Sequence, residues 1–302
     1  MNSLPPRIVS LISSATEIVD ALGMTAHLVG RSHECDYPEA VRSLPVCTRP
    51  RIPVDADSAE IDRLVKQSAR ESISIYDVFA DEIERLEPTH ILTQIQCDVC
   101  AVSLRDVEAA FSRGMKGCPQ VVSLQPDSLE QIWGDIRRVA GALGIAERGE
   151  EVVGRLRARI ESASREIPGT SPTVACIEWM EPLMAAGNWT PELIALAGGV
   201  SLFGEAGKHS PWMRWEDLRA ADPDVIVIAP CGFDLARTEQ ELPFMTSRPG
   251  WGDLRARAYL ADGNQYFNRP GPRVVETHRM LCEMLHPERF APTLRGLAWR
   301  AL

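Results

Sequence analysis

Arg7-Ile8-Val9-Ser10-Leu11-Ile12, followed directly by Ser13-Ser14-Ala15-Thr16-Glu17, decides the fold. Four of the first six residues are apolar and three of those are β-branched, which predicts a strand. Apolar residues then recur at helical spacing over 15–22, and Gly23 stops the run. The same alternation continues outward. Residues 27–30 and 90–94 read as strands. Residues 57–68 read as a helix with Ile61, Leu64 and Val65 on one face, and 80–87 as a helix ended by Pro88. Residues 103–112 read as helical and 120–124 as a strand. Strands that alternate with helices argue for a mainly parallel sheet covered on both faces.

A second series follows. Residues 127–143 predict a helix capped by Asp127 or Ser128. Residues 144–166 are charged, with Val152, Val153, Leu156 and Ile160 at helical spacing, and predict one long amphipathic helix. The loop chemistry of 167–172 ends it. Strands are expected at 173–178, 225–229 and 258–261, with a strand-like run at 265–267. Helices are expected at 191–197, 214–221, 238–246 and 272–285. The fold class is therefore α/β: two Rossmann-like lobes with mainly parallel sheets, joined by one long helix, with a ligand cleft between the lobes. The expected domains are 1–143, a linking helix at 144–168, and 169–302.

The 302 residues carry a net charge of −10, which offers no basic footprint for nucleic acid. Apolar runs such as 225–230 fall far short of the ~20 residues that span a bilayer, so no membrane insertion is expected. Residues 1–7 lack the composition of an export signal, giving the expectation of a cytoplasmic protein, or a periplasmic or lipid-anchored one if a leader has been removed. Eight scattered cysteines do not read as a disulfide framework, and Cys176 and Cys282 lie in apolar runs as core thiols.

In an open α/β sheet, ligands gather beyond the carboxyl ends of the strands. Two acid- and thiol-bearing loops fall there: His33-Glu34-Cys35-Asp36, and Gln96-Cys97-Asp98-Val99-Cys100. Cys97 and Cys100 can grip one metal ion, but no second CxxC completes a tetrahedral set. His33, Cys35 and Asp36 are the candidates to complete it around zinc or iron. The same loops also suit a redox dithiol, axial ligation of a macrocycle's metal, or plain packing. Glu178, at the carboxyl end of the 173–178 strand, suits ligand amides or a cation. Arg269 or Arg273, around a Pro-Gly turn, suits an anionic group or a structural cap. Cys231 is a weaker candidate. No nucleophile elbow or phosphate loop occurs, so an enzyme is the less expected class.

At these motifs the chain resembles the helical-backbone (class III) periplasmic-binding-protein-like family, which delivers cobalamin, haem and ferric siderophores to ABC importers. Residues 7–17 resemble its opening strand and helix. Leu86-Glu-Pro-Thr-His-Ile-Leu92 and Leu218-Arg-Ala-Ala-Asp-Pro-Asp-Val-Ile-Val-Ile228 resemble its lobe units, although Thr89 stands where the family usually has Asp. Pro211-Trp212 and Ala197-Gly-Gly199 are similar to the cobalamin-binding member. The resemblance spans residues 7–285. It implies a substrate-binding protein for cobalamin, a related corrinoid or another metal chelate. It also implies acids that dock on an ABC permease, matched here by Asp81 or Glu82 and by Glu216. A macrocycle calls for aromatic surfaces. Trp212, Trp189, Trp179 and Tyr76 are the chosen candidates, with Trp215 and Phe79 behind them. Two alternatives stay open: a cytosolic metal- or thiol-dependent enzyme using Cys35, Cys97 and Cys100, and haem or siderophore binding with His33 as axial ligand.

Overall fold

A computed structural model of the chain describes residues 5–71, 74–94 and 119–302. They divide into two compact units. The first comprises the described residues of Met1–Ala56, Arg63–Pro126 and Glu130–Gly154; the second comprises Asp57–Asp62, Asp127–Leu129 and Arg155–Leu302.

In the first unit, β1 (Ile8–Ser10), β2 (Leu28–Arg31), β5 (His90–Gln94) and β6 (Gln120–Leu124) form a sheet of order β2-β1-β5-β6. Every pairing in it is parallel. Ile8, Val9 and Ser10 are all fully buried, as a strand covered on both faces requires. Val9, Leu11, Ile83, Leu86 and Ile91 pack into one core cluster with Cys47. A second, antiparallel pair joins β3 (Thr48–Pro50) to β4 (Tyr76–Val78). This pair is not legible in the sequence, because Thr48-Arg49-Pro50 and Tyr76-Asp77-Val78 lie in no continuous apolar run.

The second unit holds β7 (Thr173–Trp179), β8 (Met184–Ala185), β9 (Val200–Ser201), β10 (Val225–Ile228), β11 (Arg257–Ala261) and β12 (Trp299–Ala301). The order is β12-β11-β10-β7-β8, with β9 also on β7. The β7–β10, β10–β11 and β7–β9 pairings are parallel, whereas β8 and β12 run antiparallel. Ala175, Ile177, Ile226, Ile228 and Leu260 bury one sheet face against Leu218, Met245 and Trp215.

The helix Leu129–Ala142 stops where Gly144 takes φ +72°. The Ile145 N–H returns to the Ala140 carbonyl at 2.9 Å and the Gly144 N–H to that of Gly141 at 3.1 Å. This is a Schellman end, which a residue with a Cβ fills poorly. A new helix, Ala146–Ser164, then carries the expected apolar stripe: Val152, Val153, Leu156 and Ile160 are all buried. The boundary between the two units falls within this helix, after Gly154.

Two local expectations are corrected. Residues 265–267 are not a strand but part of a π-helical turn, Gly263–Phe267. The Asp262 carboxylate accepts from the Gln265 N–H at 2.7 Å, and the Asn268 N–H reaches the Gly263 carbonyl at 3.1 Å. Side-chain capping has overridden β propensity there. The single helix expected at 238–246 is two, Leu235–Glu241 and Pro243–Thr246. Asp234 caps the first through the Arg237 N–H, which starts it earlier, and Pro243 opens the second.

Candidate functional site

At the carboxyl end of β2 the chain turns through Ser32, His33, Glu34 and Cys35. The Thr48 hydroxyl on β3 meets His33 twice, at its main-chain nitrogen (3.1 Å) and at Nδ1 (2.8 Å). The ring lies 5.5 Å from that of Tyr76 on β4. Two sequence candidates, His33 and Tyr76, are thus adjacent through a strand pair that periodicity missed. Burial, reinforced by the Arg31 guanidinium, pushes the His33 imidazole down to about 4. The ring is therefore neutral at pH 7 and able to serve as a metal or hydrogen-bond ligand.

A depressed histidine pKa penalises the charged form only in the folded state. Its contribution to stability is complete above 6.5, its ordinary value, and is lost as pH falls from there towards about 4. His33→Gln is expected to flatten the pH dependence of the unfolding free energy across that window, by up to about 3 kcal/mol. Urea titrations at pH 7, 5.5 and 4 measure it; an unchanged slope rejects the account.

Cys35 does not join His33. Its side chain is 1% exposed, and its sulfur lies 3.0 Å from the Thr16 hydroxyl. Burial pushes the thiol up, away from the thiolate that binds metal. A metal-ligand role for Cys35 is therefore not supported: the loop turns the thiol into the core beside the helix Ser13–Ala21. Cys97 and Cys100 lie outside the described residues. Among the described residues, no group of three or more His, Cys, Asp or Glu side chains could hold a metal ion. Cys47, Cys176 and Cys282 are buried thiols.

The second unit presents its candidates around the carboxyl half of β7. Trp179 is buried, its Nε1 donating to the carbonyls of Ser58 (3.2 Å) and Glu181 (3.0 Å). Trp189 is also buried and donates to the Phe267 carbonyl at 3.1 Å. Both indoles fasten separate chain segments together in this structure. Trp212 differs: 54% of it is exposed. It sits on a short antiparallel ladder in which Ala185 N–H donates to Pro211 (3.0 Å) and Met213 N–H to Leu183 (2.9 Å). At the far end of the ladder, Asn188 N–H donates to Lys208 at 2.7 Å. Gly187 makes the close approach possible, because a Cβ there would lie 2.5 Å from the Lys208 carbonyl oxygen and 2.7 Å from the Ser210 nitrogen.

Glu178 Oε1 accepts from the Ser210 hydroxyl at 2.9 Å. Arg269 is buried and donates to the Asn264 carbonyl and side chain, fastening the π-helical turn. Arg273 is the more accessible arginine; it stacks on Tyr266 at 5.0 Å and donates to Gln265. Cys231 is partly exposed after β10. Ser210 is a residue that sequence reading misses, since a lone serine before Pro211 carries no signal.

The acids matched to permease docking stand in the first turns of the helices Ala80–Arg85 and Trp215–Ala221. Asp81 and Glu216 are exposed, and Glu82 chelates Arg85 through both oxygens, at 3.1 and 2.6 Å. Among the described residues, no helix is long and apolar enough to cross a membrane.

The family model for periplasmic binding proteins matches residues 8–258. The chain belongs to that family. This periplasmic binding protein is 23% identical over 285 residues to the vitamin B12-binding protein of Photorhabdus laumondii, covering 93% of this chain and 88% of that one. It is 21% identical over 283 residues to the vitamin B12-binding protein of Salmonella typhimurium, covering 93% and 90%. Two solved structures share its fold. The apo periplasmic heme-binding protein RhuT of Roseiflexus sp. RS-1 has a TM-score of 0.66 at 24% identity, covering 94% of this chain and 99% of that one. The periplasmic vitamin B12-binding protein BtuF of Vibrio cholerae has a TM-score of 0.64 at 19% identity, covering 93% and 97%. The expectation of a cytoplasmic protein is not supported: the family is that of periplasmic binding proteins, and both of these structural neighbours are periplasmic by name.

Proposed function

We propose that this periplasmic binding protein is the substrate-binding component of an ABC importer for cobalamin or a related corrinoid, and that it works in the periplasm. The observation that carries the reading is Trp212, an indole more than half exposed yet held on a hydrogen-bonded ladder. A corrin presents a broad, partly apolar face, and a fixed aromatic plane recognises such a face with little ordering cost. Vitamin B12-binding relatives matched over 93% of the chain support the ligand class. Asp81, Glu82 and Glu216 are the proposed contacts to permease arginines.

A second reading, haem, is favoured by His33. A neutral imidazole anchored at Nδ1 is a suitable axial ligand for iron. The thiol- or metal-dependent enzyme is disfavoured, because Cys35 is sealed in the core.

Titration with hydroxocobalamin, with hemin in parallel, tests the assignment. Hydroxocobalamin is expected to change its visible spectrum and, at a hundredfold excess over Kd, to add about 2.7 kcal/mol of stability. A response to hemin alone transfers the assignment to haem. Silence with both ligands overturns it.

A further inference from the structure

We propose that Glu178 acts on the ligand indirectly, as the positioning residue that fixes Trp212 through Ser210. The inference rests on the reading of Trp212 as the corrinoid platform. Glu178 stands near the end of β7, and its Oε1 accepts from the Ser210 hydroxyl at 2.9 Å. The same Ser210 oxygen accepts the Gly187 N–H at 3.1 Å. Ser210 is only 4% exposed. One buried hydroxyl therefore ties three chain segments together: the end of β7, the stretch after β8, and the segment that carries Trp212.

The geometry explains why the ladder needs this bond. Pro211 brings no N–H, so the 210–212 stretch is held by carbonyls and by the Ser210 side chain. The Ala185 N–H reaches the Pro211 carbonyl and the Gly187 N–H reaches Ser210 Oγ. Without the Ser210 hydroxyl, the buried Gly187 N–H has lost its acceptor and the Glu178 carboxylate a donor. Unmade hydrogen bonds at buried sites are unfavourable, so the segment shifts to satisfy them. Trp212 moves with it, two residues along the chain. Water cannot easily fill the gap, because at Gly187 the two backbones already touch. Glu178 thus stiffens the platform in advance of binding, which is how preorganisation raises affinity.

The test uses the full chain and hydroxocobalamin. Ser210→Ala and Glu178→Ala are each expected to weaken binding by about tenfold, the worth of one buried hydrogen bond. Glu178→Gln, which keeps an acceptor oxygen for Ser210, is expected to restore most of the affinity. In a Trp212→Ala background, Ser210→Ala and Glu178→Ala are expected to add less than about twofold, because residues acting through one group are not additive. A second readout needs no ligand. Of the seven tryptophans, labelled with 5-fluorotryptophan, the resonance missing from Trp212→Phe is expected to move in Ser210→Ala and in Glu178→Ala. Equal losses of affinity in both backgrounds would make Glu178 a direct ligand contact and overturn the proposal, as would an unmoved Trp212 resonance. If Trp212→Ala binds hydroxocobalamin like the parent, the platform reading fails instead, while the fluorine resonance still reports on the positioning.

Discussion

Glu283→Ala is expected to destabilise the second unit by about 3–5 kcal/mol, the range for breaking a buried charged network. Glu283 lies in the helix Val274–Leu285 and is 1% exposed. Its carboxylate accepts from Trp299 Nε1 (2.8 Å), the Thr293 N–H (2.9 Å) and Arg279 Nε (3.1 Å). It also takes the Thr293 hydroxyl. These bonds fasten the C-terminal segment so that β12 can close the edge of the sheet on β11. Truncation leaves a buried indole N–H and a main-chain N–H without acceptors. Arg279 is one-third exposed, so solvent screens part of the ion pair and the neutral donors carry most of the loss. Burial pushes the Glu283 carboxyl up, but hydrogen bonds from Thr293, Trp299 and Arg279 outweigh it and hold it below its ordinary 4.5. The network's contribution is accordingly present above pH 4.5 and lost as pH falls through the lowered native value. Urea unfolding of parent and Glu283→Ala at pH 7 measures the effect; a difference below about 1 kcal/mol rejects it.

Trp212→Ala is expected to weaken hydroxocobalamin binding by roughly 30-fold or more, the loss typical of an aromatic anchor. Its own stability is expected to stay within about 0.5 kcal/mol of the parent, because more than half of the indole is exposed. The pairing of the two results matters. Trp179→Ala would also reduce binding, but by loosening the segments it bonds, and it would lower the unfolding midpoint as well. Trp212→Ala with unchanged affinity would end the reading of Trp212 as the corrinoid platform.

Much of the architecture was legible along the chain. The strands at β1, β5, β6, β7 and β10 and the helix Ala146–Ser164 fall where apolar spacing placed them. Each is a continuous buried run or a clear stripe, and such patterns are local. The elements that escaped notice are those made by partners. β3 and β4 exist because Thr48–Pro50 meets Tyr76–Val78, and the Gly263–Phe267 turn exists because Asp262 caps it. The site was legible only as a list of loops. Nothing in the order of residues separated Trp212, which is exposed, from Trp189, which is buried and bonded to the Phe267 carbonyl. Nothing marked Ser210 or Thr48, whose roles arise from residues 32 and 15 positions away.

By itself, the sequence determined the order of the longer elements and the two α/β halves, because hydrophobic period and turn chemistry act over a few residues at a time, and its motifs carried the resemblance to the family. Only the tertiary structure decided which thiol is buried, which imidazole is neutral and which indole meets solvent. Exposure and pKa depend on what packs from elsewhere in the chain, and no short-range pattern encodes that.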